Sequence, residues 1–141
     1  MKQISHEKYT LDCPSRQLLE MLSDKWVPAL IIILSEGPRR PGDLQRSLEG
    51  ISKKMLRQTL KNLEIWGLVD RQDYETVPPR VEYALTDLGL KFMEPLALLC
   101  HWAAQNGDDV FSIYSKKLAA AGKLELPEDV DGGLTAHHLP Q

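Results

Sequence analysis

The chain has 141 residues, 43% hydrophobic and 26% charged, with a net charge of −3; that size and balance suit one ordinary soluble domain able to bury a core without disulfides or metals. Two cysteines, Cys13 and Cys100, do not make a disulfide scaffold, and the polar Met1–Leu11 stretch has no apolar signal region. The longest apolar run, Trp26–Leu34 interrupted by Pro28, is far shorter than the ~20 residues a membrane span needs, so a cytoplasmic protein with no membrane partner is expected.

Residues 1–11 read as a loose arm. Cys13-Pro14 starts a first helix, since proline is favoured at the first helical position, and Leu18, Leu19 and Leu22 recur within it at helical spacing. A second helix begins near Lys25 and carries Trp26, Ala29, Leu30, Ile33 and Leu34. It is apolar almost all round and is the expected buried centre, and Gly37-Pro38 ends it. Asp43–Leu48 is a short third helix, Glu49-Gly50-Ile51 a turn, and Ser52 the N-cap of a helix from Lys53 to Trp66 that stops at Gly67. Two helices joined by a short glycine-containing turn make a helix-turn-helix pattern.

Leu68–Tyr74 and Arg80–Leu85 read as two strands, the second with Val81, Tyr83 and Leu85 alternating with Glu82 and Ala84. Pro78 and Pro79 in the connection suit a projecting loop and exclude a central strand. A hairpin directly after the second helix of a helix-turn-helix is the wing of a winged helix. Thr86 caps a long helix to about Asn106, with Gly107 as its stop, Pro95 as a kink or break, and Leu88, Phe92, Leu96, Leu99 and Ala103 as one stripe that Leu98 and Trp102 widen. Ser112–Ala121 can form another helix, and the final stretch reads as a mobile tail. The expected fold is therefore mainly α with a small β-hairpin: a three-helix core plus wing, flanked by N- and C-terminal dimerisation helices. The domain spans 12–107, with a partly helical or mobile extension over 108–141.

Charge is concentrated where the helix-turn-helix falls. From Gly37 to Asn62, Arg39, Arg40, Arg46, Lys53, Lys54, Arg57 and Lys61 face only Asp43 and Glu49, a net of +5, which leaves −8 for the rest of the chain. In the helix beginning at Ser52, Leu56, Leu60 and Leu63 fall within ~60° of one another. Lys53, Lys54, Arg57, Gln58 and Lys61 form a basic face with an amide. Such a face can contact phosphates through Lys and Arg, and base edges through Arg to guanine or Gln to adenine. The implied partner is double-stranded DNA.

These residues resemble a known family. Cys13-Pro14, Lys25-Trp26, Gly37-Pro38-Arg39-Arg40, Gly50-Ile51-Ser52-Lys53-Lys54-Met55-Leu56, Gly67-Leu68-Val69, Val77-Pro78-Pro79-Arg80-Val81-Glu82-Tyr83 and Leu85-Thr86-Asp87-Leu88-Gly89 look like the HxlR-type helix-turn-helix regulators, relatives of the MarR-type regulators. The similarity covers about residues 12–106. It implies a bacterial-type dimeric winged-helix regulator on imperfect palindromes, in a family where some members sense electrophiles or oxidants through cysteine. Carried over, Ser52, Lys53, Lys54, Arg57 and Gln58 would sit at the major groove. Arg80 would lie on the wing beside the backbone or minor groove, and Arg39 and Arg40 would face phosphates or support the helix-turn-helix. Pro41 stands where the family usually has an aromatic residue.

Cys13 at the start of the first helix would feel the positive end of its dipole, which favours thiolate. A redox or electrophile switch at Cys13, bridging to Cys100 of a partner chain, is one expectation; two small buried hydrophobes are the other. Leu96, Leu99 and Trp102 are expected at the dimer interface. No HExxH, CxxC or nucleophile-elbow pattern occurs, and the four histidines are scattered, so no enzyme, metal or cofactor is expected. An interaction module without DNA binding is the competing class. A basic helix face open to solvent favours DNA, and one covered by the chain's own tail favours docking.

Overall fold

The fold is given by a computed structural model that describes residues 10–123. The expected loose arm falls, for residues 1–9, outside the described residues, as do the tail over 124–141 and His6, His137 and His138. The elements run α1 (Pro14–Leu22), α2 (Val27–Leu34), α3 (Pro41–Ser47), α4 (Lys53–Ile65), β1 (Val69–Asp73), β2 (Val81–Leu85), α5 (Asp87–Gln105) and α6 (Gly107–Ala120). The chain divides into two compact units, Met1–Leu96 and Ala97–Gln141. That boundary falls inside α5, whereas the sequence pattern placed one at Gly107.

The first unit is built around α2. Val27, Leu30, Ile31 and Leu34 are buried, and they share one core with Leu44, Leu48, Ile51, Leu56, Leu60, Leu63, Leu68, Val69 and Leu96. Burial of such side chains contributes about 1.5–3 kcal/mol each. The helix opens two residues later than the sequence suggested, because Trp26 occupies its N-cap and Pro28 its first turn.

Backbone chemistry sets the joints. Ser52 caps α4 by accepting a hydrogen bond from the Met55 N–H at 3.0 Å. At the other end Gly67 adopts φ +76°. The Leu68 N–H donates to the Leu63 carbonyl and the Gly67 N–H to the Glu64 carbonyl; this paired closure needs a left-handed residue, which glycine supplies without strain. The chain then enters β1, which pairs antiparallel with β2 from Val69 opposite Leu85 to Asp73 opposite Val81. Arg39 adds a short rung, exchanging backbone hydrogen bonds with Tyr83 at 2.9 and 2.8 Å.

Thr86 stitches the hairpin to α5. Its hydroxyl donates to the Gly67 carbonyl at 2.6 Å and accepts from the Gly89 N–H at 3.0 Å, while its own N–H donates to the Leu68 carbonyl. Gly89 lies so close that a Cβ there would run into the Leu68 carbonyl oxygen and press on Leu85.

Of the kink or break expected at Pro95, the break does not occur: α5 runs unbroken through it, and the proline forgoes one internal hydrogen bond without ending the helix. Gly107 does not stop a helix but begins one: α6 starts there, five residues before Ser112, with Asp108 and Asp109 in its first turn where the helix dipole favours acid. Among the described residues no helix is long and apolar enough to cross a membrane.

Replacing Gly89 with alanine should destabilise the first unit by about 1–3 kcal/mol, because the obstacle is backbone and cannot rotate away. A urea unfolding midpoint equal to wild type would contradict this contact.

Candidate nucleic-acid interface

Helix α4 is divided lengthwise. Leu56, Thr59, Leu60 and Leu63 are buried, and the Thr59 hydroxyl settles its polarity by donating to the Met55 carbonyl at 2.8 Å. Ser52, Lys53, Lys54, Arg57, Gln58 and Lys61 are all exposed. The five-residue spacing of the turn before α4 is held by Gln45, whose side-chain amide donates to the Ile51 carbonyl at 2.7 Å. Along the exposed face the Gln58 amide donates to Asn62 at 3.1 Å, which restrains it.

An open groove of about 350 Å³ lies between α3 and α4, lined by Pro41, Gly42, Gln45, Arg46, Lys53, Leu56 and Arg57. Three cations border it. Lys53, at the first turn of α4, stands at the edge of the apolar stripe beside Leu56 and so faces this groove. Arg46, part of the basic stretch, is a groove cation that the charge pattern alone does not assign to the interface. It pairs with Asp43 one helical turn before it, and both side chains remain well exposed. Arg46 on one wall and Lys53 and Arg57 on the other supply donors suited to an anion.

The other expected cations stand at the edge of the wing. Arg39 gives its backbone to the rung with Tyr83, and its guanidinium pairs with Glu36 at 3.3 Å. Its geometry is that of a support for the helix-turn-helix. Arg40 occupies the N-cap position of α3 and is exposed. Arg80 lies on the outward face of the hairpin. Its guanidinium donates to one carboxylate oxygen of Glu82 at 2.8 and 3.3 Å and stacks 4.5 Å from the Tyr74 ring. The Tyr74 hydroxyl donates to the other Glu82 oxygen at 3.0 Å. Hydrogen bonds from Arg80 and then Tyr74 hold the Glu82 carboxyl below the usual carboxylate range, with the Arg40 charge adding to them. The same bond to Glu82 raises the Tyr74 phenol. The folded-state pKa of Glu82 is depressed, so the assembly is complete above the ordinary carboxylate range and is lost as pH falls through that lowered value.

Cys13 occupies the N-cap position of α1 and is 8% exposed, without a side-chain cap hydrogen bond. Cys100 is exposed on α5. Of the three residues expected at a dimer interface, Leu96 is instead 3% exposed within the core of the first unit: it lies at that unit's last position, on the side of α5 turned to its own core. Leu99 and Trp102 are open to solvent, and so are Leu98, Val110, Ile113 and Tyr114. Among the described residues no three His, Cys, Asp or Glu side chains gather as a metal site requires.

Comparison with known proteins places this geometry. A family model described as HxlR-like helix-turn-helix matches residues 21–111. The chain is 39% identical over 107 residues to the HTH-type transcriptional regulator YtfH of Escherichia coli, covering 76% of this chain and 85% of that protein. Among solved structures it is similar to a MarR-family regulator from Porphyromonas gingivalis W83, with a TM-score of 0.65, 36% identity, and 74% and 99% of the two chains covered. It is also similar to the redox regulator HypR in its reduced form, with a TM-score of 0.68, 31% identity, and 71% and 99% covered.

Proposed function

The chain belongs to the HxlR-like helix-turn-helix family, a family of transcriptional regulators rather than enzymes, and from that premise we propose that it is a homodimeric repressor that reads a near-palindromic operator with α4. The observation that carries the reading is the lengthwise division of α4: an apolar stripe spent on the core, and a basic face with one amide open to solvent. Ser52, Lys53, Lys54, Arg57 and Gln58 meet the major groove, with Lys61 at its margin. Arg40 and Arg46 take the adjoining phosphates, Arg39 braces the motif, and Arg80 carries the wing to the neighbouring backbone or minor groove. The first turn of α4 adds backbone N–H groups that favour phosphate. An open basic face favours DNA over the competing role of a docking module, and the tail over 124–141 that would cover it lies outside the described residues.

Pairing rests on the second unit. Leu98, Leu99, Trp102, Val110, Ile113 and Tyr114 are large, apolar and exposed, and a second copy of the chain is the partner that covers them. A two-fold axis sets two copies of α4 about one DNA turn apart, roughly 34 Å or a multiple of it.

An oxidant signal is a further element of the proposal, favoured by the exposed Cys100 thiol and by similarity to a protein named as a redox regulator. Two thiols, Cys13 and the partner subunit's Cys100, give up two electrons and two protons to an oxidant such as diamide and form one disulfide. Because Cys13 is buried, the N-terminal turn of α1 has to open first. A small-molecule effector is the alternative signal.

With operator DNA recovered by selecting genomic fragments on the purified protein, Lys54→Ala should weaken all sequences alike and flatten the salt slope by about one unit. Arg57→Ala should cost about 1–3 kcal/mol and relax one base position. Wild-type behaviour of both in fluorescence anisotropy would remove α4 from the interface.

Light scattering at micromolar concentration should report a dimer for the wild type and a monomer for Trp102→Glu; a wild-type monomer would refute the pairing surface. On a non-reducing gel, diamide should convert the chain to a slower dimer that Cys13→Ser or Cys100→Ser abolishes. An unshifted band together with unchanged DNA affinity would rule the bridge out.

A further inference from the structure

Three side chains on the outward face of the hairpin hold one another, and only one of them is a cation. Side chains alternate between the faces of a strand, and the register that sets Gln72 opposite Glu82 continues to Tyr74, whose N–H donates to the Arg80 carbonyl at 3.0 Å. Tyr74, Arg80 and Glu82 therefore share the face opposite Val69, Tyr83 and Leu85, which turn toward the core. Both carboxylate oxygens of Glu82 are occupied, one by Arg80 and one by Tyr74. The Glu82 side chain is sheltered at 17% exposure, while that of Arg80 is open at 45%. A guanidinium has five N–H donors in a rigid fork. Glu82 engages it through Nε and Nη2, which leaves the Nη1 donors for an outside acceptor. The Tyr74 ring supports one face of the same plane.

We infer that Tyr74 and Glu82 are positioning residues that fix the Arg80 guanidinium for contact with a DNA duplex, so that Glu82, although acidic, strengthens DNA binding. A loose arginine loses its rotamer freedom when it docks; this one is ordered beforehand, so less of that cost falls on association. Simple charge counting gives the opposite sign, since removing an acid beside a phosphate-binding surface should tighten binding. The two accounts are therefore separable by one substitution. The inference rests on the DNA-binding reading of α4 and the wing.

The test is anisotropy of a labelled random-sequence duplex titrated with the full chain, in wild type, Glu82→Gln, Tyr74→Leu, Arg80→Ala and the Arg80→Ala/Glu82→Gln pair. Glu82→Gln and Tyr74→Leu should each weaken binding roughly 3- to 10-fold, with urea midpoints unchanged. Arg80→Ala should weaken it and flatten the salt slope by about one unit. In the Arg80→Ala background, Glu82→Gln should no longer weaken binding, an outcome that general damage to the wing would not produce. Binding by Glu82→Gln as tight as wild type or tighter overturns the positioning role, as does an Arg80→Ala variant that binds like wild type; in both cases the DNA-binding reading stands. A wild-type protein that binds no duplex overturns that reading and the positioning role together.

Discussion

Helix α2 has no polar residue between Val27 and Leu34, and a helix without a polar face has to be covered all round. The rest of the first unit answers that requirement. Met21 and Leu22 of α1 pack against the core, Leu44 and Leu48 close it near α3, and the hairpin contributes Val69, Tyr83 and Leu85. Helix α4 supplies Leu56, Leu60 and Leu63. Once these three are buried, the 3.6-residue period leaves Lys54, Arg57, Gln58 and Lys61 facing solvent. The orientation of the basic face is thus a consequence of core packing, and no separate interaction is needed to aim it.

The hairpin is tied to the same core by a few polar contacts concentrated at one joint. Thr86 bonds to Gly67, Leu68 and Gly89, so the end of α4, the start of β1 and the start of α5 are held together by one residue. The wing is thereby anchored to the end of α4, as the proposed joint reading of one duplex would require. Charge then sorts the faces. The basic stretch from Arg39 to Lys61 lies in a chain that is otherwise acidic, and like-charge repulsion keeps a polyanion away from the remaining surface.

Much of this was legible in the sequence where local chemistry decides the outcome. Ser52 and Gly67 bound α4 because a cap hydroxyl and a left-handed glycine act within a single turn, and the double proline marked the wing for the same reason. The chain belongs to the family that its Ile51–Leu56 and Val77–Tyr83 stretches resembled. What escaped depends on tertiary context. Gly107 fits a helix stop or a helix start, and only the two aspartates after it favour the start. Leu96 sits on an apolar stripe whose two ends meet different surroundings, so periodicity alone could not separate core from open face. Tyr74 and Glu82 are eight residues apart, and their meeting at Arg80 follows from strand register, which the sequence did not specify. For Arg39 the sequence left phosphate contact and support of the helix-turn-helix both open, and its backbone bonds to β2 and ion pair with Glu36 favour the support.

The central claim is that the face of α4 opposite Leu56, Leu60 and Leu63 lies in the major groove. Dimethyl sulfate footprinting addresses it directly, because the reagent methylates guanine N7 on the major-groove edge. On an operator recovered from genomic fragments, the wild-type protein should protect guanines in two patches about one helical turn apart, or a multiple of it. Saturating binding that leaves every guanine N7 as reactive as in free DNA would contradict the account.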